Sequence, residues 1–252
     1  MPATEECESK KANGKSETMK FAIIDCNEYA MKPDQGRGRG FIQALTGWNE
    51  GTDYDFIRYD DIAGLKAEAM RCRGLILSGS KFDFALPDDC FDGNSYQKMI
   101  PVFQLIRDFQ GPVLGICFGH QLIALGDEFD PDKTEFGLLR IRNMKIPRDR
   151  HRVVQVQMNS PLRFMNPRNL WSQFNHRQEV LLNDDLLKYY EIVAGSDQCP
   201  VEIMQHRSRD WFGVQFHPEI GKDTQEGEIR RHQAAIRDGQ AVLREFVRYA
   251  LR

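Results

Sequence analysis

No stretch of this chain approaches the roughly 20 consecutive apolar residues that a membrane helix needs, and its first residues lack the apolar core of a secretory signal. No membrane partner is expected, and the expected location is cytoplasmic. There is also no block of one charge sign. The formal net charge is -3 over 252 residues, with acidic and basic side chains mixed along the length. That excludes the basic field of a nucleic-acid binder and suits a small neutral or zwitterionic substrate. Paired cysteine spacing is missing too: Cys7, Cys26, Cys72, Cys90, Cys117 and Cys199 are scattered, in a chain too long to need stapling, so reduced thiols are expected. No internal repeat and no linker can be seen, which excludes a solenoid and favours one domain.

What is present is enough to bury one large core, with 41% hydrophobic residues. Residues 1–19, "MPATEECESKKANGKSETM", offer almost nothing to bury and read as a disordered leader, so the domain is expected over 20–252. "KFAIIDC", "YDFIRYDDI", "RCRGLILSGS" and "PVLGI" read as strands. "SYQKMIPVFQLIRDFQ" and "GHQLIALG" read as helices, with Pro101 at a first-turn position or a kink. Such alternation predicts an α/β fold with a mostly parallel central sheet flanked by helices. From about residue 134 the texture becomes β-rich: "FGLLRIRNMKI", "RVVQVQM", "YEIVAGS", "PVEIMQH" and "WFGVQFH", the last two joined by a hairpin turn "RSRD". An added antiparallel β segment is expected there, followed by a terminal helix that packs back on the sheet. Trp211 and Phe212 read as hairpin core.

Three short stretches can carry chemistry. Gly115-Ile116-Cys117-Phe118-Gly119 lies between a strand and a helix, in the pattern of a nucleophile elbow with cysteine in the place of serine. A thiol there is aimed above the sheet and faces a helix N-terminus that favours the thiolate. The plainer alternative is a small buried hydrophobe in a Gly-rich turn. "FGVQFHPEIG" places His217 after an apolar strand with Glu219 two residues on, and a cysteine nucleophile needs such a base with an acceptor to fix its tautomer. In extended backbone the two side chains would share one side; a surface turn is the alternative. Ser78-Gly79-Ser80 closes a strand and could offer the Ser80 N–H to an oxyanion, with the Phe118 N–H as the second donor, or it is simply a loop.

"GICFGHQLIA" and "GVQFHPE", in this order after "LILSGS", resemble the class I glutamine amidotransferase (triad glutaminase) family, and within it a stand-alone member like a GMP synthase glutaminase. The resemblance implies a flavodoxin-like α/β fold, a nucleophile at Cys117, a base at His217 and an orienting acid at Glu219. It assigns substrate contacts to Gly79 and Gln121. "QFNHRQEV" resembles the family's segment in which backbone just after a histidine meets the bound glutamine, so Arg177 and Gln178 are carried over. Arg177 stands where glycine is common, and Ser80 replaces the second glycine of the usual Gly-Gly-Pro turn.

The implied reaction is hydrolysis of the γ-amide of glutamine through a γ-glutamyl thioester, with no metal and no organic cofactor. The ammonia would pass to an acceptor, and the partner this implies is a separate synthetase subunit. Two alternatives remain: a γ-glutamyl peptidase or hydrolase, and a catalytically silent binding protein. Cys117 with His120 as half of a zinc site lacks a second ligand pair, and His120 is expected to pack in the first helical turn. "GRGRG", residues 36–40, reads as a mobile loop and a candidate substrate lid.

Overall fold

In the computed structural model the strands form where short runs of Ile, Leu, Val and Phe are bounded by glycine or polar residues. The structure describes residues 20–28, 30–31, 54–84, 93–127, 129, 140–144, 152–166, 169–220 and 229–252. The expected leader and the "GRGRG" loop lie outside them. Strands β1 (Phe21–Asp25), β2 (Tyr54–Arg58), β3 (Gly74–Leu77) and β4 (Val113–Ile116) alternate with helices α1 (Ile62–Ala69), α2 (Gly93–Asp108) and α3 (Phe118–Gly126). Then come β5 (Ile141–Asn143), β6 (Arg152–Met158), β7 (Leu170–Phe174), β8 (Gln178–Val180), α4 (Asp184–Tyr189), β9 (Tyr190–Gly195), β10 (Ile203–His206), β11 (Trp211–Val214) and the long helix α5 (Ile229–Ala250).

Among the described residues, nine strands make one sheet in the order β2-β1-β3-β4-β11-β10-β9-β6-β7. The first five are parallel and the remaining pairings antiparallel. The α/β fold with a mostly parallel sheet and an added antiparallel part is therefore what the chain adopts. β5 and β8 pair separately as a small antiparallel ribbon.

Period-two alternation sorts the strand residues between two apolar layers. Phe21, Ile23, Ile76, Leu114, Ile116, Phe212 and Val214 face α5, whereas Ala22, Ile24, Leu75, Leu77, Val113 and Trp211 face α1, α2 and α3. Because both faces are covered, the parallel strands read as continuous apolar runs. On the α5 side Phe246 meets Phe21, Phe164 and Phe212, with ring centroids 5.8–6.5 Å apart. Burying one such ring is worth about 2–3 kcal/mol, and this cluster fastens the terminal helix to the sheet.

Four local expectations change. Pro101 lies well inside α2 rather than in its first turn, because the helix begins upstream of the apolar stripe that marks it in sequence. β7 ("LWSQF") and the three-residue β8 give too little alternation to be read, and they form by pairing with β6 and β5. Helix α4 is also too short for a period, and is set by Asn183, whose Oδ1 accepts from the Leu186 N–H at 2.8 Å. The strand expected in "FGLLRIRNMKI" extends only over Ile141–Asn143 among the described residues.

Candidate active site

Three neighbouring parallel strands, β3, β4 and β11, deliver their carboxyl ends to one rim of the sheet. β3 leads into Ser78-Gly79-Ser80, β4 into Cys117, and β11 toward His217. Ile116 is opposite Val214 in register, and the Cys117 N–H donates to the Val214 carbonyl at 2.8 Å. Cys117 is thus hydrogen-bonded to the strand from which His217 emerges.

Cys117 has φ 53° and ψ -101°, and among the described residues it alone combines a side chain with positive φ. Such a backbone costs about 1–3 kcal/mol and persists only where the surroundings enforce it. The surroundings here are the two glycines. A Cβ on Gly119 would lie 2.5 Å from the Leu77 carbonyl oxygen, and one on Gly115 would collide with the backbone of Gly119. Strand, turn and helix pack so closely that only glycine fits on either side, and the thiol is turned out at the N-terminus of α3. Among the other described thiols, burial pushes Cys72 up to about 11, and Cys26 and Cys199 well above the ordinary thiol value.

His217 and Glu219 are both buried, with Nδ1 2.9 Å from Oε1. A carboxylate only accepts, so Nδ1 donates to Glu219. Extended backbone does not make this contact, contrary to expectation. β11 ends at Val214, and the chain turns at His217, with the Ile220 N–H pointing to the His217 carbonyl at 3.4 Å. Pro218 sits in that turn, so Glu219 folds back onto the ring. The His217 N–H donates to the Gln173 carbonyl at 2.9 Å, and Nε2 lies 3.4 Å from the Asn175 carbonyl.

The thiol opens into a cleft of about 430 Å³ lined by Ser80, Lys81, Phe82, Cys117, Gln121 and Arg177, among others. Phe118 lines it too, and its ring stacks on Phe84 at 4.6 Å with planes 10° apart. That stacking, with Phe82 packed at 6.2 Å, holds the loop after β3 against the first residue of α3. Ser80 Oγ accepts from the Phe82 N–H at 3.1 Å and stiffens the same loop. Gly79 is buried.

Gln121, His176 and Gln178 work on one another. Gln121 Nε2 donates to the Gln178 carbonyl at 3.1 Å, and His176 Nδ1 lies 3.0 Å from the same oxygen. The Gln178 side chain accepts from the Phe84 N–H at 2.8 Å and donates to Asn143 at 3.0 Å. Both side-chain amides therefore brace the cleft, and they leave Arg177 exposed on its wall. Asn175, Lys81 and Asp83 also line the cleft. They were overlooked in sequence because single polar residues in loops carry no periodic signal.

His120 is fully buried in the first turn of α3, against the backbone of Gly213 and Val201. Burial, helped by the nearby His176 ring, pushes its pKa down to about 3. It is a neutral packing residue, as its place in the helix suggested. No helix among the described residues is long and apolar enough to cross a membrane.

The site is thus an α/β sheet whose strained cysteine turn is hydrogen-bonded to the strand that leads to a buried His–Glu pair. The sequence model of class-I glutamine amidotransferases matches residues 45–235, and the chain belongs to that family. It is 32% identical to a subunit of the glutamine-hydrolyzing GMP synthase of Thermococcus kodakarensis, over 67% of this chain and 78% of that one. The corresponding subunit of Pyrococcus furiosus is 31% identical over the same shares. A glutamine amidotransferase structure from Thermotoga maritima superposes with TM-score 0.60 and 17% identity, covering 93% of this chain and 96% of that chain, which bears on the fold alone.

Proposed function

We propose that this protein hydrolyses the γ-amide of glutamine through a thioester on Cys117 and releases ammonia to an acceptor held by a separate synthetase subunit. The elbow at Cys117, hydrogen-bonded to the strand that leads to the His217–Glu219 pair, is the observation that carries the reading. His217 takes the Cys117 thiol proton, and the thiolate attacks the amide carbon. The N–H groups of Ser80 and Phe118 receive the oxyanion, a contribution of roughly 10²–10³-fold per donor. His217, oriented by Glu219, gives its proton to the departing ammonia and then takes one from the water that opens the thioester. Gly79, Gln121, Arg177 and Gln178 form the substrate wall, Gln121 acting through the Gln178 backbone. The names of the relatives supply the substrate and the division of the synthase into subunits. Residues 20–252 are read as one unit in a reducing, cytoplasmic setting.

A second reading has its own observation. Arg177 is exposed on the cleft wall, with Lys81 also lining it, and two cations suit the carboxylate of a longer leaving group. The chain would then be a γ-glutamyl peptidase with the same acyl-enzyme. Turnover of L-glutamine beside a panel of γ-glutamyl dipeptides, with Cys117→Ala as blank, decides. Ammonia from glutamine that vanishes in the variant supports the first reading, preferential dipeptide cleavage supports the second, and silence on all substrates sinks both.

A further inference from the structure

From His176 on the cleft wall, a group of side chains that the proposed reaction does not use extends inward. His176, Cys199 and Glu202 are all buried, and their ligand atoms lie within 4.8 Å of one another. They come from three places: the turn between β7 and β8, the loop after β9, and the residue before β10. The carboxylate of Glu179 in β8, also buried, stands beside the same thiol. The spacings are His-x-x-Glu and Cys-x-x-Glu. We propose that His176, Cys199 and Glu202, with Glu179 as the fourth ligand, hold one structural Zn²⁺ ion that fastens the cleft wall to the antiparallel strands.

The donor set selects the metal. One imidazole, one thiolate and two carboxylates suit zinc, whereas calcium and magnesium take oxygen only. Ligand atoms in a tetrahedral zinc site sit roughly 3.3–3.8 Å apart, so closing the His176, Cys199 and Glu202 group takes about one ångström of side-chain adjustment. Glu179, outside that group and held by Arg142, has farther to move.

The supporting contacts have the form a metal site requires. The His176 Nδ1 lies 3.0 Å from the Gln178 carbonyl, which only accepts, so Nδ1 donates and Nε2 holds the coordinating lone pair. Ser196 Oγ donates to Glu202 Oε1 at 2.6 Å, and Arg142 Nε donates to Glu179 Oε1 at 2.8 Å. Each carboxylate is thereby held in orientation. Ser196 also fixes the thiol loop, receiving the Cys199 N–H at 3.1 Å while its own N–H donates to the Cys199 carbonyl at 2.9 Å. Binding exchanges the Cys199 S–H bond for S–Zn and releases that proton to solvent.

The test uses the full chain after chelator treatment and dialysis. Zinc addition is expected to restore about one ion per chain by mass spectrometry and to raise the thermal midpoint. Cobalt(II) in its place should give a near-ultraviolet thiolate charge-transfer band. The band must persist in Cys117→Ala, which removes the cleft thiol, and vanish in Cys199→Ser. Should Cys199→Ser fail to fold, His176→Gln, altered nearer the cleft, must lose the ion instead. No bound metal and no thermal shift would overturn the proposal. So would a cobalt band that depends on Cys117 and ignores Cys199 and His176.

Discussion

The parallel half of the sheet and its antiparallel half divide the labour of the cleft differently. In the parallel half, β3, β4 and β11 emerge side by side, and the proposed reactive groups follow from strand ends and a single forced turn at Cys117. In the antiparallel half, the segment after β7 is placed by a web of side-chain hydrogen bonds among Gln121, His176, Gln178 and Asn143. Parallel topology aims chemistry through backbone geometry, so few side chains are needed. The antiparallel wall has no such aiming device and uses buried polar groups, which must all be satisfied.

The strongest way to test that division is to remove the thiol. Cys117→Ala should lower turnover by about 10⁴-fold or more with little change in thermal midpoint, read by ammonia release beside a melting curve. His217→Ala follows, with kcat reduced roughly 10²–10⁴-fold; a variant that keeps its rate would mean another group is the base. The forced turn itself is probed by Gly119→Ala, whose Cβ meets the Leu77 backbone. It should cost roughly 1–3 kcal/mol in urea denaturation and lower activity together with stability.

His120 sits at the seam, against Gly213 of the parallel half and Val201 ahead of β10. Its folded pKa of about 3 lies below the ordinary 6.5, so the unfolded chain takes up a proton that the folded chain refuses. This contribution is complete above pH 6.5 and is lost as pH falls toward 3, at up to about 1.4 kcal/mol per unit. Urea midpoints across that window should flatten in His120→Gln. The smallest effect expected is that of Arg177→Gly: a several-fold change in KM with kcat kept, because Arg177 is assigned to the substrate wall and not to the chemistry.

Much of the parallel half was legible. "FAIID", "GLIL" and "VLGI" are apolar runs closed by turn residues, and two glycines around one cysteine between strand and helix specify an elbow. His217 and Glu219 were recognised, but as partners across extended backbone, whereas a turn through Pro218 joins them. β7, β8 and α4 were not legible, since each is too short to show a period and exists through its partners. The bracing role of Gln121 and Gln178 was hidden for a related reason: an amide's hydrogen-bond partners depend on folds of the chain far from it in sequence.

The amino-acid sequence alone determined the local terms. These are the alternation that makes an α/β fold, the glycine pair that admits a strained cysteine, and a histidine with an acid two residues away. Local sterics and hydrophobic periodicity act over a few residues, and any chain with this pattern would have them. Tertiary structure alone decided that β11 pairs with β4, so that Cys117 is bonded to Val214 beside the start of the His217 turn. It also decided that His176, Cys199 and Glu202 converge under the wall. Strand order is selected by the burial of both sheet faces at once, and no segment carries that term by itself.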